Sequence, residues 1–341
     1  MSNKSIESMF YQKENEKIRC LLCPHKCILT EGEFGRCKLR KVEESTGELK
    51  LHSPYQSRVA AICLDPIEKK PLYHFHPGSQ VLSVGMIGCN LACPFCQNWE
   101  ISHSRDQDKG RKITPQDLTN ILKEYSESEP DNILGLAFTY SEPTSWYEYV
   151  FEASKLSSEE GFKNVIVSNG FINKTPLKNL MPYIHGANID VKGFRESTYK
   201  HVGGQLQPVM DTVELLLESK HVELTYLVIP EVNDHKDELN DFINWVSELN
   251  PDIPVHFSRY FPQYKYERNA TPVSTLRWIY EKAKEKLTYV YLGNVGEQES
   301  QTTWCPKCKK PIIERVGFGV ITNLVERNQC KFCNHKIAGE F

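Results

Sequence analysis

The sequence predicts an α/β protein built on a parallel sheet, and three observations support this fold class. From residue 80 onward, short runs rich in β-branched and other apolar residues alternate with stretches that have a helical pattern. The runs are apolar almost throughout, which is typical of strands buried on both faces of a parallel sheet. The connections are short, so we expect right-handed crossovers between consecutive strands. A doubly wound sheet and a barrel both satisfy this pattern.

The individual elements follow from local signals. The predicted core strands cover 81–85, 133–140, 164–169, 187–192, 222–230, 253–258 and 289–294. Two helix starts are marked by Thr114-Pro115 and Thr175-Pro176, where a capping hydroxyl precedes a proline whose missing N–H costs nothing in the first turn. The predicted helices cover 115–126, 145–160, 176–183, 210–219, 236–249 and 274–286.

Composition and charge exclude several classes of protein. With 341 residues, 40% hydrophobic and 25% charged, the chain has the composition of an ordinary globular protein. Its polar N-terminus lacks a signal peptide and no apolar stretch approaches the roughly 18 residues of a membrane span, so we expect a cytoplasmic protein. The net charge of −3 does not indicate a nucleic-acid binder. The C-terminal 37 residues are basic, and a solvated face is the ordinary explanation.

Cysteines are the most informative residues of the chain. There are twelve, in a large chain without an export signal, and eleven of them fall into three spaced clusters. This distribution favours metal binding in a reducing compartment over disulfides. Cys63 stands apart in the apolar run RVAAICLDP, where we expect it to be a small buried hydrophobe.

The central cluster leaves a metal site one ligand short. Cys89, Cys93 and Cys96 lie in the run GCNLACPFCQNW, whereas a [4Fe–4S] cube has four irons that each take a thiolate. The open iron could bind and reduce a small molecule. A zinc knuckle with a distant fourth ligand is the alternative. The three cysteines directly follow the first core strand, at the end where parallel barrels carry their active sites. Phe95 could stack on a purine or shield the metal cluster from water.

The two terminal clusters each contain four cysteines. At the C-terminus, two C-x2-C knuckles separated by twenty-one residues predict a zinc ribbon with a hairpin between them. The N-terminal cluster has less regular spacing, so structural zinc is favoured and an auxiliary iron–sulfur cluster stays open. The ribbon ligands are Cys305, Cys308, Cys330 and Cys333, and the N-terminal ligands are Cys20, Cys23, Cys27 and Cys37.

These clusters divide the chain into three predicted segments. Residues 1–76 form a metal-binding segment with a turn at Ser45-Thr46-Gly47, residues 77–298 the core, and residues 299–341 the ribbon. Neither end is long enough to build a sufficient core alone, so we expect a metal to stabilise each.

The run CNLACPFCQNW resembles the radical S-adenosylmethionine (radical SAM) superfamily, specifically the branch around pyruvate formate-lyase activating enzyme. The segments CLLCPHKC, EGEFGRCKLR, DPIEKKPLYHFHPGS, TYSEPTSWYEY and HFSRYFPQYK and the terminal ribbon are similar to those of AmmeMemoRadiSam-system radical SAM enzymes, from about residue 20 onward. The resemblance implies a partial (β/α)6 TIM-like barrel and a [4Fe–4S] cluster whose fourth iron binds SAM. It further implies one-electron cleavage of SAM to methionine and a 5′-deoxyadenosyl radical that abstracts hydrogen from a substrate, with an electron donor of flavodoxin or ferredoxin type.

The same resemblance implies SAM contacts at the ends of the second, third and fourth core strands. The second strand end takes the place of a GGE-like motif that holds the SAM amino group, although its glycines are missing. The third would contact ribose and carboxylate, and the fourth carries a D-x-K pattern whose lysine could pair with the SAM carboxylate. Each residue could instead be a buried polar group satisfied by backbone. The residues are Thr139, Tyr140, Ser141, Glu142, Ser168, Asn169, Asp190 and Lys192.

Substrate-side candidates lie in two other segments. Asp65, Glu68, Lys69 and Lys70 form a charged run whose default is a solvated turn, but the family signature gives it a role near the active site. The strand predicted over 253–258 contains His256 and ends beside Arg259, which are two further candidates. The catalytic candidates are therefore His256, Arg259, Lys69 and Lys70.

Two enzymatic functions and one non-enzymatic function compete. The chain could activate a partner protein by abstracting hydrogen from a glycine, or it could modify RNA, a peptide or a metabolite directly. The family context suggests Memo-like and AMMECR1-like proteins as partners, by association only. A metal-stabilised binding module without activity leaves the strand-end polar groups unexplained.

Overall fold

The N-terminal part of the molecule is built from small antiparallel sheets. A computed structural model describes residues 5–45, 47–54, 57–104, 106, 109–129 and 132–341. Within these residues, strands β1, β5 and β6 form one sheet and β2, β3 and β4 another. Position 46 of the predicted turn lies outside the described residues, and Ser45 pairs with Glu48 across it. The strands are β1 (Ile6–Glu7), β2 (Tyr11–Glu14), β3 (Lys17–Cys20), β4 (Ile28–Leu29), β5 (Lys41–Ser45) and β6 (Glu48–Ser53).

A nine-stranded sheet forms the centre of the molecule, and the predicted α/β fold with a parallel sheet is confirmed. Its order is β15-β14-β13-β12-β11-β10-β8-β7-β9. The strands are β7 (Arg58–Pro66), β8 (Gln80–Met86), β9 (Arg111–Lys112), β10 (Ile133–Phe138), β11 (Lys163–Ser168), β12 (Gly186–Val191), β13 (His221–Val228), β14 (Val255–Arg259) and β15 (Val290–Gly293).

The strand order resolves the choice that periodicity left open. The pairs from β8 to β15 are all parallel, and each strand follows its neighbour in chain order. In a doubly wound sheet the order of the strands reverses part of the way across the sheet. The order from β8 to β15 does not reverse, so this sheet is singly wound. Its closure into a partial barrel stays a prediction. Strand β7, which lies in the predicted N-terminal segment, pairs antiparallel with β8 and so belongs to the central sheet.

The crossovers between parallel strands contain the predicted helices. Helix α2 begins as expected, because Thr114 and Asp117 form a reciprocal capping box before Pro115. Helix α4 begins earlier than predicted, with Asn173 at its N-cap, and α5 was not predicted. The helices are α1 (Trp99–Ser102), α2 (Pro115–Ser128), α3 (Tyr147–Glu159), α4 (Lys174–Leu180), α5 (Glu196–Val202), α6 (Leu206–Leu217), α7 (Lys236–Leu249) and α8 (Val273–Lys284). Among the described residues, no helix is long and apolar enough to cross a membrane.

The C-terminal segment docks on the residues that follow β7. Arg315 is fully buried, donates through Nη2 to the Tyr73 carbonyl oxygen over 2.7 Å and lies 4.1 Å above the Tyr73 ring. Backbone hydrogen bonds join Glu340 to His74 and His76 over 2.8 and 2.7 Å. The strands of this segment are β16 (Thr303–Trp304), β17 (Pro311–Val316), β18 (Gly319–Asn323), β19 (Val325–Glu326) and β20 (Gln329–Cys330).

Candidate active site

One cavity of about 600 Å³ opens at the carboxyl ends of the parallel strands. This volume lies within the range of sites for drug-sized ligands. Its walls combine the loop after β8, the ends of β10 to β15, the segment after β7 and the tip of the C-terminal hairpin at Gly317 and Phe318. Of the predicted residues, the following line it: Cys89, Cys93, Phe95, Cys96, Thr139, Tyr140, Ser141, Glu142, Asn169, Asp190, Lys192, Lys69, Lys70, Glu68 and His256.

The loop that carries the central cysteines is held by neighbouring loops. The Asn90 side chain donates to the Phe171 carbonyl over 2.8 Å and accepts a hydrogen bond from Asn169 Nδ2 over 2.9 Å. The Ala92 amide donates to the Val202 carbonyl over 2.8 Å. These bonds fasten the loop to the segments after β11 and α5, so the positions of its cysteines are set from both sides.

The central thiols fit a four-iron cluster better than a single ion. All three line the cavity, yet among the described residues they form no group whose ligand atoms all lie within 4.8 Å of one another. Sulfurs bound to separate irons of a [4Fe–4S] cube lie farther apart than sulfurs around one ion. Three thiols that do not form a compact group therefore suit the cube better than a single ion. Burial raises the pKa of Cys93 to about 12. The Cys93 thiol therefore ionises only when a metal compensates its charge.

Glu142 serves as a structural anchor within the cavity wall. Its carboxylate is 2% exposed and accepts hydrogen bonds from the Ser168 hydroxyl, the Asn169 amide and the Thr144 amide and hydroxyl, over 2.8 to 3.0 Å. Burial raises the pKa of Glu142, and these donors oppose that shift. Ser168 itself does not line the cavity, because its hydroxyl points to Glu142. The two residues join the ends of β10 and β11.

Asn169, Asp190 and Lys192 are the strand-end groups placed beside the thiols. Asn169 Nδ2 lies 3.7 Å from Cys89 Sγ. Lys192 Nζ and Asp190 Oδ2 are 2.8 Å apart. Burial opposes the charge on Lys192, but the nearby Asp190 carboxylate more than offsets it and the pKa of Lys192 is raised. An ammonium group of this kind is suited to bind a carboxylate of a ligand.

The charged run after β7 is a buried network, so its default interpretation as a solvated turn is wrong for most of it. Asp65 accepts hydrogen bonds over 2.6 to 2.7 Å from Lys69, Lys70 and the Tyr140 hydroxyl. Asp65, Glu68 and Lys70 are each at most 3% exposed. Burial raises the pKa of Asp65, yet its three donors outweigh this effect and the net pKa is lowered. Burial raises the pKa of Glu68 to about 6.

A second buried carboxylate, Glu223, was missed by the sequence analysis. It is fully buried in β13 and accepts from His256 Nε2 over 2.6 Å, from His221 Nε2 over 2.9 Å and from the His74 amide over 2.7 Å. Burial raises its pKa, but the two histidines outweigh this effect and hold the carboxylate ionised. The sequence signal that could have identified Glu223 is that it is the single charged residue in the otherwise apolar run VELTYLVIP.

Two further predicted placements differ from the structure. Arg259 does not line the cavity: its Nε donates to the Thr271 carbonyl over 2.8 Å and its guanidinium lies 4.8 Å above the Phe261 ring. Cys63 is exposed, so its expected burial is wrong. It lies on β7 between the half-buried Ile62 and Leu64, and its Sγ lies 3.5 Å from the Leu64 carbonyl oxygen.

The C-terminal cysteines form a compact group. Cys305 Sγ lies 3.6 Å from Cys333 Sγ, Cys308 Sγ lies 3.8 Å from Cys330 Sγ, and all four sulfurs lie within 4.8 Å of one another. Metal–sulfur bonds of about 2.3 Å in tetrahedral geometry place sulfurs roughly 3.8 Å apart. This group could therefore hold one metal ion with a full coordination sphere.

The N-terminal cysteines lie behind the central loop. Gly88, which precedes Cys89 at φ +90°, packs so closely that a Cβ atom there would lie 2.7 Å from the Cys37 carbonyl oxygen. His25 is half-buried, and its Nε2 lies 2.7 Å from the Asn90 carbonyl oxygen. The segment with Cys20, Cys23, Cys27 and Cys37 is thus in contact with the loop of the central cysteines.

Comparisons with known proteins agree with this geometry. Residues 84–245 match the model of the Radical SAM superfamily. The chain is 40% identical to uncharacterized protein MJ0808 of Methanocaldococcus jannaschii over 97% of this chain and 98% of that protein. It is 25% identical to a probable dual-specificity RNA methyltransferase RlmN of Oceanobacillus iheyensis, over 51% of this chain and 53% of that one.

Two further similarities are more distant. The chain is 20% identical to pyruvate formate-lyase-activating enzyme of Clostridium pasteurianum, over 48% of this chain and 67% of that enzyme. Among solved structures, Streptococcus suis SuiB bound to S-adenosylmethionine matches with a TM-score of 0.50 and 14% identity, over 63% of this chain and 52% of that one. At this identity, the structural match supports the fold alone.

Proposed function

Because this chain belongs to the radical SAM superfamily, we propose that it cleaves SAM reductively at a [4Fe–4S] cluster on Cys89, Cys93 and Cys96 and abstracts hydrogen from a macromolecule or a metabolite. The observation that carries this proposal is the shared cavity. Three thiols without a fourth, an ammonium group and polar strand ends all line the same space of about 600 Å³. When bound, the cluster and SAM would supply the electron transfer and the 5′-deoxyadenosyl radical.

The residues around the thiols would bind and orient SAM. Lys192 presents an ammonium group for the SAM carboxylate, and Asp190 holds that ammonium in place over 2.8 Å. The backbone of Thr139, Tyr140 and Ser141 offers carbonyl groups for the SAM amino group. Phe95 is 2% exposed and lines the cavity, where it would exclude water from the cluster.

On the opposite wall, His256 is the group best placed to act on a substrate. Its Nε2 is hydrogen-bonded to Glu223 over 2.6 Å, which leaves Nδ1 as the ring nitrogen for a bound substrate. That nitrogen could form a hydrogen bond with the substrate. Lys70 lines the same wall and is held by Asp65, while Lys69 reaches the rim with a more exposed side chain. We assign no substrate role to Arg259.

The cavity size bears on the substrate class. A volume of about 600 Å³ accommodates SAM together with a small metabolite or with one residue or nucleotide of a macromolecule. We propose that the enzyme works in the cytoplasm with a flavodoxin or ferredoxin as electron donor and with Memo-like and AMMECR1-like proteins, as AmmeMemoRadiSam-system enzymes would. The C-terminal quartet would hold structural zinc, since it offers four thiolates and no open position.

The test is SAM cleavage by the reconstituted protein under anaerobic conditions. With dithionite and SAM, we expect release of 5′-deoxyadenosine, and we expect Cys93→Ala to abolish it. Cys63→Ala is the matched control, because Cys63 is exposed and outside all three cysteine groups. Release by the Cys93→Ala variant at the wild-type rate would refute the proposal.

The alternative function is activation of a glycyl-radical enzyme. It is supported by the D-x-K pattern at Asp190 and Lys192 and by the similarity to pyruvate formate-lyase-activating enzyme. It predicts a persistent glycyl-type EPR signal on a partner protein after incubation with the enzyme, SAM and reductant. Direct modification predicts instead a mass change in a substrate from wild-type cells relative to a deletion strain.

A further inference from the structure

Contacts within the N-terminal segment bring its four cysteines into one region. A Cβ atom placed on Gly35 would lie 3.8 Å from Cys37 Sγ and 3.9 Å from Cys27 Sγ, so both sulfurs approach the same position. The Cys20 amide donates to the Cys27 carbonyl over 2.9 Å, which brings the end of β3 to the same loop. The Lys26 amide donates to the Cys23 carbonyl over 3.1 Å, so Cys23 lies on the turn that leads into Cys27. The four cysteines therefore lie on adjoining segments.

Their spacing differs from that of the C-terminal quartet. All four C-terminal sulfurs lie within 4.8 Å of one another, with pairs at 3.6 and 3.8 Å. Among the described residues, the N-terminal four contain no set of three that meets the same limit. Sulfurs around a single zinc ion lie roughly 3.8 Å apart, so the N-terminal arrangement is too wide for one ion. In this respect it resembles the central triplet, which also exceeds the limit.

We propose that Cys20, Cys23, Cys27 and Cys37 hold a second [4Fe–4S] cluster, and not zinc. Four thiolates occupy all four irons, which leaves no open position for SAM. The second cluster is therefore suited to electron transfer and not to radical formation. Arg40 is 1% exposed, its Nη1 donates to Cys20 Sγ over 3.5 Å, and its Nη2 pairs with the buried carboxylate of Glu148. The site therefore has a buried hydrogen-bond donor to a ligand sulfur, and hydrogen bonds to the sulfurs tune the potential of a cluster.

The position of this site suggests its role. Cys37 contacts Gly88, the residue before Cys89, and His25, two residues after Cys23, contacts Asn90, the residue after Cys89. Asn173 ties the same segment to the end of the third core strand through the Leu21 and Leu22 carbonyls, over 2.7 and 3.0 Å. A reduced flavodoxin or ferredoxin would lose one electron to the second cluster, which would pass it to the first. This role rests on the proposed function, whereas the presence of the cluster does not.

Metal and sulfide analysis of the wild-type protein tests the site directly. After anaerobic reconstitution, we expect about eight iron and eight sulfide per chain, in two clusters of four, together with about one zinc in the C-terminal quartet. About four iron with two tightly bound zinc ions would overturn the proposal. This measurement requires no variant and therefore does not depend on whether a variant folds.

A variant without the central thiols separates the two sites. The triple variant Cys89→Ala/Cys93→Ala/Cys96→Ala should keep about four iron and the EPR signal of a reduced [4Fe–4S] cluster, while it loses 5′-deoxyadenosine release. Cys23→Ala/Cys27→Ala should keep the central cluster and dithionite-driven SAM cleavage, but slow cleavage driven by flavodoxin at least tenfold. If the triple variant binds no iron while its circular dichroism spectrum is unchanged, the second cluster is refuted and the proposed function is untouched.

Discussion

The C-terminal quartet and the central triplet are both groups of thiols, but they differ in ligand number, spacing and surroundings. In the quartet, four sulfurs lie within 4.8 Å of one another on two knuckles of a small hairpin module. In the triplet, three more widely spaced sulfurs lie on one loop, and that loop borders a cavity of about 600 Å³. Four thiolates can fill the coordination sphere of one metal ion, whereas three leave one iron of a [4Fe–4S] cluster open to a ligand.

The surroundings of the two groups differ as much as their ligand number. The loop of the triplet is held by side chains and backbone from β11 and α5, and polar strand ends face it. The quartet instead packs in an apolar cluster with Tyr73, Tyr289 and Tyr291 of the body, and its module also meets the body through Arg315 and Glu340. Polar groups that can orient a ligand therefore surround the triplet, whereas apolar packing surrounds the quartet.

The largest effect is expected from removal of a ligand in the quartet. Cys308→Ala should eliminate the bound zinc and unfold the ribbon, because metal binding supplies on the order of 10 kcal/mol of folding free energy in such small modules. Zinc analysis and limited proteolysis near residue 299 would measure this. Iron content should not change, and a parallel loss of iron would show that the two regions are not independent. Lys307→Ala, an exposed neighbour, is the control.

The next effect concerns the contact between the two regions. Arg315→Met leaves Glu68 buried without its cationic neighbour, which lies 3.6 Å away. Loss of one partner of a buried charge pair costs about 3–5 kcal/mol of unfolding free energy. Urea denaturation would measure this cost against Arg327→Met, an exposed arginine of the same module. Equal urea midpoints for the two variants would show that Arg315 contributes no more to stability than an exposed arginine does.

A change in the reactive region alone should affect ligand binding. Lys192→Met removes the ammonium proposed for the SAM carboxylate, and we expect about 10- to 100-fold weaker binding, because a hydrogen bond to a charged group contributes about 1.5–3 kcal/mol. Anaerobic calorimetry on the reconstituted protein would measure it. Lys200→Met, on the exposed face of α5, should bind SAM as the wild type does. Wild-type affinity in the Lys192 variant would remove this residue from the SAM site.

The smallest effect depends on pH. Burial raises the pKa of Glu68 to about 6, above its ordinary value of 4.5, so the folded state is penalised when this carboxyl is ionised. The penalty is absent below pH 4.5 and grows to about 2 kcal/mol as the pH rises past 6. The free energy of unfolding of Glu68→Gln, relative to that of the wild type, should therefore be higher at pH 8 than at pH 4.5. The difference between the two unfolding free energies cancels the titration of other groups, and a difference independent of pH would contradict the shifted pKa.

Much of the architecture was predictable from local signals. The seven parallel strands follow from apolar runs with helical intervals, and the start of α2 follows from the capping chemistry at Thr114. Helix α5 was not predicted because it is short and lies between strand and helix signals that were already assigned. The strand order, which excludes a doubly wound sheet, depends on pairing between distant segments and so required the structure.

The candidate site divides in the same way. Spacing alone identified the three cysteine groups, because the reach of a short chain segment decides which ligands can share a metal. Sequence could not show that Ser168 turns to Glu142, that Arg259 turns to Thr271 or that Glu223 anchors His256. Each of these depends on which neighbour a strand-end side chain meets after packing.

The sequence by itself therefore determined the α/β fold class and the division of eleven cysteines into two groups of four and one group of three. Only the tertiary structure decided the burial of Asp65, Glu68 and Lys70, the exposure of Cys63 and the compact spacing of the sulfurs in the C-terminal quartet. The physical reason is range: spacing and periodicity act over a few residues of chain, whereas burial and ligand geometry arise from contacts between segments far apart in sequence.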